Sequence, residues 1–383
     1  MRDIPSWDIF CRVVDNFGDA GVCWRLARAL ATEHDAKVRL WIDDLDSLAR
    51  LEPRVAPVHD QRVDDVQVVH WSRVSPTTRP AQIVVEAFGC GLPDKYVAAL
   101  GSKRERSVWV VLEYLSAEAW VPDYHGLRSP HPRVPLDRYF FFPGFVEGTG
   151  GLLRESDLFA QRDRFDVDRR SAFWHSIGHA APAEDAMTVS LFAYESAPVR
   201  ELLRCWEAGT SLVVAAIPDG RATPAVLEHF GASAIPTKRL ARRGALEVRF
   251  VPFIPQASYD ELLWACDCNF VRGEDSFLRA QWAARPFVWQ IYPQRDLVHS
   301  AKLEAFLELY CQGLPIAAAD AVSRFTRFWN QIETAGVTPA SAWHAFAGEL
   351  PALKRHGVEW ADRIAGVGEL AGNLARFCLA KLK

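Results

Sequence analysis

The sequence has no surplus of positive charge. Its 44 Lys and Arg stand against 48 Asp and Glu, for a formal net charge of -4, so a nucleic acid finds no electrostatic footprint here. Long apolar runs are lacking too, which excludes a helix that spans a bilayer. The three-glycine fingerprint of dinucleotide-binding domains is missing from the N-terminal strand–turn–helix stretch. That stretch offers only Gly18 and Gly21, and this counts against a nicotinamide site. The 8 cysteines are scattered, and Cys266-Asp-Cys268 has the wrong spacing for a zinc pair. Met1 to Trp7 runs straight into a strand without the apolar stretch of a signal peptide. The expectation is a cytoplasmic protein with reduced thiols in its core. Low-complexity segments and repeats of fixed period are absent.

What is present is an α/β pattern, written twice. The chain has 383 residues, 49% of them hydrophobic, enough for two domains of average size. Trp7-Asp-Ile-Phe-Cys-Arg-Val-Val14 reads as a strand. Asp15-Asn-Phe-Gly-Asp-Ala-Gly21 is a turn, and Val22, Leu26 and Leu30 then fall at helical spacing. The turn places two carboxylates, Asp15 and Asp19, at the carboxyl end of the first strand, where open α/β sheets hold ligands and reacting groups. An Asx-turn with a helix cap accounts for one of the two aspartates. Further strands read at Lys37-Val-Arg-Leu-Trp-Ile42, Gln82 to Phe88 and Val108-Trp-Val-Val-Leu112. Residues 121–135 read as a proline-rich loop in which His125 and His131 are conceivable metal ligands. Residues 155–185 carry no clear strand and read as a linker with helical pieces.

The second series begins at Met187-Thr-Val-Ser-Leu-Phe-Ala-Tyr-Glu195 and continues at Ser211 to Ile217 and Leu246 to Phe253. An apolar, strand-like run from Trp264 leads into Val271-Arg-Gly-Glu-Asp-Ser276, and a helical pattern follows, with Asp275 and Ser276 as N-cap candidates. Strand, glycine turn and helix N-terminus gather backbone N–H groups and a dipole's positive end, which suits a phosphate. Glu274 and Asp275 do not suit a phosphate, and sugar hydroxyls are one candidate partner for them. After Tyr292 the pattern is mostly helical. The glycines of Gly366-Val-Gly-Glu-Leu-Ala-Gly372 follow no strand and are not read as a nucleotide loop.

Several strings carry a family resemblance: Asp15-Asn-Phe-Gly-Asp-Ala-Gly-Val-Cys-Trp-Arg-Leu-Ala-Arg28, Leu112-Glu-Tyr-Leu-Ser116, Phe142-Pro-Gly-Phe145 and Phe192-Ala-Tyr-Glu195. So do Arg272-Gly-Glu-Asp-Ser-Phe and Pro286-Phe-Val-Trp-Gln-Ile-Tyr-Pro-Gln294. Together they resemble EarP, the bacterial protein-arginine rhamnosyltransferases of translation elongation factor P. The resemblance covers nearly the whole chain. It implies a GT-B glycosyltransferase, an α/β fold of two Rossmann-like, doubly wound domains facing a cleft. Residues 1–155 with 320–383 would form the acceptor domain, and 186–319 the donor domain. Residues 156–185 would link them, and the C-terminal helices would cross back to the first domain. The implied reaction is inverting transfer of L-rhamnose from dTDP-β-L-rhamnose to an arginine nitrogen of elongation factor P, without a metal or other cofactor. That modification would activate the factor for rescue of ribosomes stalled at polyproline.

By resemblance the catalytic residues are Asp19, the general base, Asp15, which orients the acceptor or structures the loop, and Glu274, which positions the sugar and takes part in catalysis. The donor would be held by Phe17, Gly18, Phe192, Tyr194, Phe253, Gln256, Arg272, Asp275, Ser276 and Tyr292. Arg272 either pairs with a phosphate or braces the loop, while Phe192 and Phe253 suit the core as well as they suit a ligand. Glu113 to His125 is the expected acceptor contact. Three other readings stand beside this one. A GT-B transferase with a small acceptor would act without a protein partner. A catalytically dead binding protein would lack the carboxylates. An oxidoreductase would carry the missing glycines.

Overall fold

The computed structural model describes residues 5–14, 17–103, 105–293, 299–332 and 336–383. They fall into two compact units, Met1–Ser156 with Arg363–Lys383, and Asp157–Asp362.

The first unit opens with β1 (Ser6–Cys11), α1 (Gly18–Glu33), β2 (Lys37–Ile42), α2 (Leu45–Leu51), β3 (Asp60–Val63) and β4 (Val66–His70). It continues with β5 (Ile83–Ala87), α3 (Asp94–Gly101), β6 (Val108–Leu112), α4 (Val121–Tyr124), β7 (Arg128–Pro130) and β8 (Asp137–Phe141). Among the described residues these strands form one sheet in the order β3-β4-β2-β1-β5-β6-β8-β7. The short edge strands β3 and β7 pair antiparallel, and the rest pair parallel. The central strands β1, β5 and β6 are apolar and buried on both faces, as interior parallel strands are. The exceptions are Glu86, buried in β5, and Asp8, fully buried in β1. Arg39 Nε and Nη2, Trp41 Nε1, the Ala81 amide and the Tyr96 hydroxyl all donate to its carboxylate, so the charge is hydrogen-bonded on every side.

The second unit contains α5 (Leu158–Asp163), α6 (Val167–Ser176), β9 (Met187–Leu191), α7 (Val199–Glu207), β10 (Val213–Pro218) and α8 (Thr223–Phe230). Next come β11 (Leu240–Arg243), β12 (Leu246–Val251), α9 (Gln256–Ala265), β13 (Cys268–Arg272), α10 (Asp275–Trp282) and β14 (Phe287–Gln290). The remaining helices are α11 (His299–Tyr310), α12 (Ile316–Trp329), α13 (Pro339–Gly348), α14 (Leu350–Ala365) and α15 (Leu370–Leu382), the last of which belongs to the first unit. The sheet order is β11-β12-β10-β9-β13-β14, parallel but for β11.

Several boundaries differ from the expected ones. Residues 156–185 are not a linker. Phe173, Trp174 and Ile177 of α6 pack into one core with Ala216, Val251 and Leu262, so amphipathic helices cover that face of the second sheet. The return to the first unit comes at Arg363, not near 320, because α12 packs on β14 and α13 on α7. Trp264 and Ala265 end helix α9, and the strand begins only at Cys268; a buried helix end and a central strand are equally apolar. Within the expected loop at 121–135 lie the helical turn α4 and the strand β7. The Gly366–Gly372 stretch is a helix cap. The Glu369 carboxylate accepts from the amides of Ala371 and Gly372, both at 2.6 Å, where an anion would otherwise sit.

Candidate functional site

In the first sheet the winding runs from β1 out to β4 and resumes at β5 on the other side of β1. The order therefore reverses between β1 and β5, and ligands collect at the carboxyl ends of such strands. Asp19 stands there, in the first turn of α1 and 3% exposed. Its Oδ2 accepts from the Val14 amide at 2.8 Å, and its Oδ1 from the Tyr114 hydroxyl at 3.2 Å. The Val13 amide donates to Asp43 Oδ1 at 2.9 Å, tying the segment after β1 to the end of β2. Phe17 is the N-cap residue of α1 and makes no side-chain cap; its ring lies 5.2 Å from the Arg50 guanidinium, and Gly18 opens the helix. Asp15 lies outside the described residues.

In the second sheet the order reverses between β9 and β13. Arg272 ends β13 there, 7% exposed. Its guanidinium is stacked against two rings from the end of β9, 4.3 Å from the centre of Phe192 and 4.4 Å from that of Tyr194. Tyr194 also meets Tyr292 edge-on at 5.6 Å, and its amide donates to Gln290 Oε1 at 2.7 Å. The turn after β13 needs a left-handed residue, which Gly273 supplies at φ 65°. Trp289 Nε1 donates to the Gly273 carbonyl at 2.8 Å and holds that turn down.

The helix start departs from expectation. Asp275 is the first residue of α10, Glu274 is its N-cap, and no side chain caps it. Ser276 instead clamps the turn, its hydroxyl accepting from the Arg272 amide at 3.1 Å and donating to the Arg272 carbonyl. Gln256, 6% exposed, donates from Nε2 to Asp275 Oδ2 at 3.0 Å. That bond joins the N-termini of α9 and α10, and α9 likewise has no side-chain cap. Deeper in, Arg279 and Asp260 pair through two bonds of 2.7 and 2.6 Å, with side chains 1% and 8% exposed, and lock the two helices together. Two helix N-termini and a buried arginine thus meet beside the carboxylates of Glu274 and Asp275, a mixed set that offers amide donors together with acceptors. Phe253, two residues beyond β12, is half-buried, and Tyr292 is exposed.

A family model described as the elongation-factor P (EF-P) rhamnosyltransferase EarP matches residues 7–379. The chain belongs to the EarP family. It is a glycosyltransferase of the protein-arginine rhamnosyltransferase type. The protein-arginine rhamnosyltransferase of Pseudomonas aeruginosa is 44% identical, over 98% of this chain and 99% of its own. That of Shewanella oneidensis is 38% identical, over 97% of each. An EarP structure solved to explain arginine glycosylation of translation elongation factor EF-P is 33% identical, with TM-score 0.69 over 97% of this chain and 98% of that one. A UDP-glucosyltransferase from Polygonum tinctorium is 9% identical with TM-score 0.52, covers 99% of this chain and 98% of its own, and shares the GT-B class of fold alone.

The EarP strings thus carry most of the clustered residues, but two kinds of residue had no role assigned in the sequence. Tyr114 reaches Asp19 from 95 positions away, and Gln290 reaches Tyr194 from 96. Both fall inside strings that resemble EarP, and nothing local marks them as partners. The histidines of the expected loop are spoken for. His125 Nδ1 accepts from the Phe142 amide at 3.1 Å, and His131 Nδ1 from the Arg133 amide at 3.2 Å. Among the described residues no group of three His, Cys, Asp or Glu side chains is placed to hold a metal, and no helix is long and apolar enough to cross a membrane.

Proposed function

We propose that the chain transfers L-rhamnose from dTDP-β-L-rhamnose to an arginine nitrogen of elongation factor P, with inversion and without a metal. The observation that carries this reading is the buried carboxylate of Asp19, held by two donors at the strand-order reversal of the first sheet. An arginine guanidinium is protonated at neutral pH and is a poor nucleophile. A carboxylate must orient it and take a proton as the nitrogen attacks. The new N–C1 bond forms on the face opposite the diphosphate, the C1–O bond breaks, and the proton passes from the guanidinium to Asp19. Asp15 assists the acceptor or the loop.

The second unit holds the donor in this reading. Negative charge develops on the departing dTDP, and the amides at the start of α10 with Arg272 stabilise it. Stacking between Phe192 and Tyr194 supports a fixed Arg272 better than a mobile one. Glu274 and Asp275 meet sugar hydroxyls. Gln256, Phe253 and Tyr292 form the thymine side, while Phe17 and Gly18 shape the sugar pocket. Glu113 to His125, with Tyr114, Trp120 and Tyr124 exposed, receives the acceptor protein. Modified in this way, the factor would serve ribosomes stalled at polyproline.

The test is to incubate purified protein with dTDP-β-L-rhamnose and unmodified EF-P and to weigh the acceptor by intact mass spectrometry. A gain of one deoxyhexose that Asp19→Asn cannot produce supports the reaction and the base together. No gain with wild type, while the donor still binds, points instead to a GT-B transferase with another acceptor. A gain with both proteins keeps the reaction and removes Asp19 from its role.

A further inference from the structure

The Tyr114–Asp19 contact is carried by a built segment. Beyond β6 the Glu113 amide donates to the Phe141 carbonyl at 3.0 Å and the Ser116 amide to the Pro143 carbonyl at 3.4 Å. Ser116 also forms a parallel bridge with Gly144, so residues 113–116 run fixed alongside the end of β8. Leu115 is buried between those anchors. The Tyr114 ring lies flat on Phe88, with centres 4.4 Å apart and planes 12° from parallel. Phe88 holds φ 55°, a left-handed conformation that a bulky residue keeps only when its surroundings impose it. Its amide donates to the Leu112 carbonyl at 2.6 Å, binding the end of β5 to the end of β6. The strain therefore sits at the point where the strand order reverses, directly under the ring that reaches the carboxylate.

We propose that Tyr114 is a positioning residue for the transfer, with Phe88 as its platform; this rests on the reading of Asp19 as base. Val14 holds one carboxylate oxygen and Tyr114 the other, so the group cannot swing. A base that must meet one nitrogen at one angle gains from that restraint. At 3.2 Å the phenol bond is long for O–H···O, so it orients the oxygen as a weak donor. Tyr114→Phe keeps the ring on Phe88 and removes the hydroxyl alone. In rate assays by intact mass with dTDP-β-L-rhamnose and EF-P, kcat should fall about 10-fold, as for loss of a hydrogen bond to a charged group. The KM for donor should stay at the wild-type value. A wild-type kcat in Tyr114→Phe, with Asp19→Asn inactive, would overturn the proposal and leave the base reading standing. A rise in donor KM in place of the fall in kcat would make the residue a binding or structural one and also overturn it. Full activity in Asp19→Asn would remove both.

Discussion

In the first unit the strand order reverses between β1 and β5, and a buried carboxylate, Asp19, stands at the carboxyl ends. In the second it reverses between β9 and β13, and a buried cation, Arg272, stands there instead. The winding is the same in both, and so is the strand–turn–helix connection that follows. What differs is how each charge is held. Asp19 is fixed by hydrogen bonds from Val14 and Tyr114, whereas Arg272 is fixed by the faces of Phe192 and Tyr194. Hydrogen bonds aim a carboxylate's oxygens, and packing between two ring faces sets the plane of a guanidinium. One fold thus provides an acid end and a basic end by varying the turn, and function follows the turn more closely than the sheet.

Asp19→Asn is the sharpest way to separate the two ends. It should cut transfer by roughly 10²–10⁴, the usual worth of a general base, while dTDP affinity measured by calorimetry stays unchanged. Asp260→Ala tests whether the paired helix starts of the second unit depend on their buried ion pair. Taking the Asp260 carboxylate away from the buried Arg279 should cost about 3–5 kcal/mol in urea unfolding, with the Asp19 end untouched. Arg272→Lys keeps the charge and loses the planar stack, so donor affinity should fall roughly 10-fold or more without a change in EF-P binding. Should Arg272→Lys weaken EF-P binding as much as donor binding, the division of labour between the units would fail.

Two smaller effects refine the comparison. Trp120→Ala should weaken EF-P binding by several-fold, on the order of 1 kcal/mol for an exposed contact, and leave dTDP binding alone; equal EF-P affinity in surface binding assays would move the acceptor elsewhere. The smallest effect is a pH slope. Burial lowers the pKa of His125 from its ordinary 6.5. The unfolded chain then binds the proton more readily than the folded one. Stability should therefore fall as pH drops below about 6.5, and His125→Asn should flatten that part of the thermal-melting curve.

Much of this was legible in advance, in a graded way. The buried parallel strands announce themselves by apolar runs, and the two turns by glycines and acids, so the paired α/β plan and the neighbourhoods of Asp19 and Arg272 were readable. Contacts across the sheet were not. Nothing beside Tyr114 in the sequence points to Asp19, and nothing beside Gln290 points to Tyr194. Sheet neighbours at the reversal are distant in the chain. The helix start at Asp275 was misread by one position because Ser276 looks like a cap residue; its hydroxyl bonds backward to Arg272 instead. The domain boundaries were misread because an amphipathic helix looks the same whether it spans two bodies or coats one. Only Phe173, Trp174 and Ile177 sitting in the second core decides it.

The helix α15 lies in the first unit, on α1 and β6, yet it is translated after the whole of the second. A ribosome therefore completes residues 157–362, a continuous stretch, before the last piece of the unit that carries Asp19 emerges. The α1 and β6 segments must wait through that interval with the faces that α15 later covers still open. During synthesis the second unit can finish folding while the first remains incomplete, so any chaperone that attends this chain has most to protect in its first-made part.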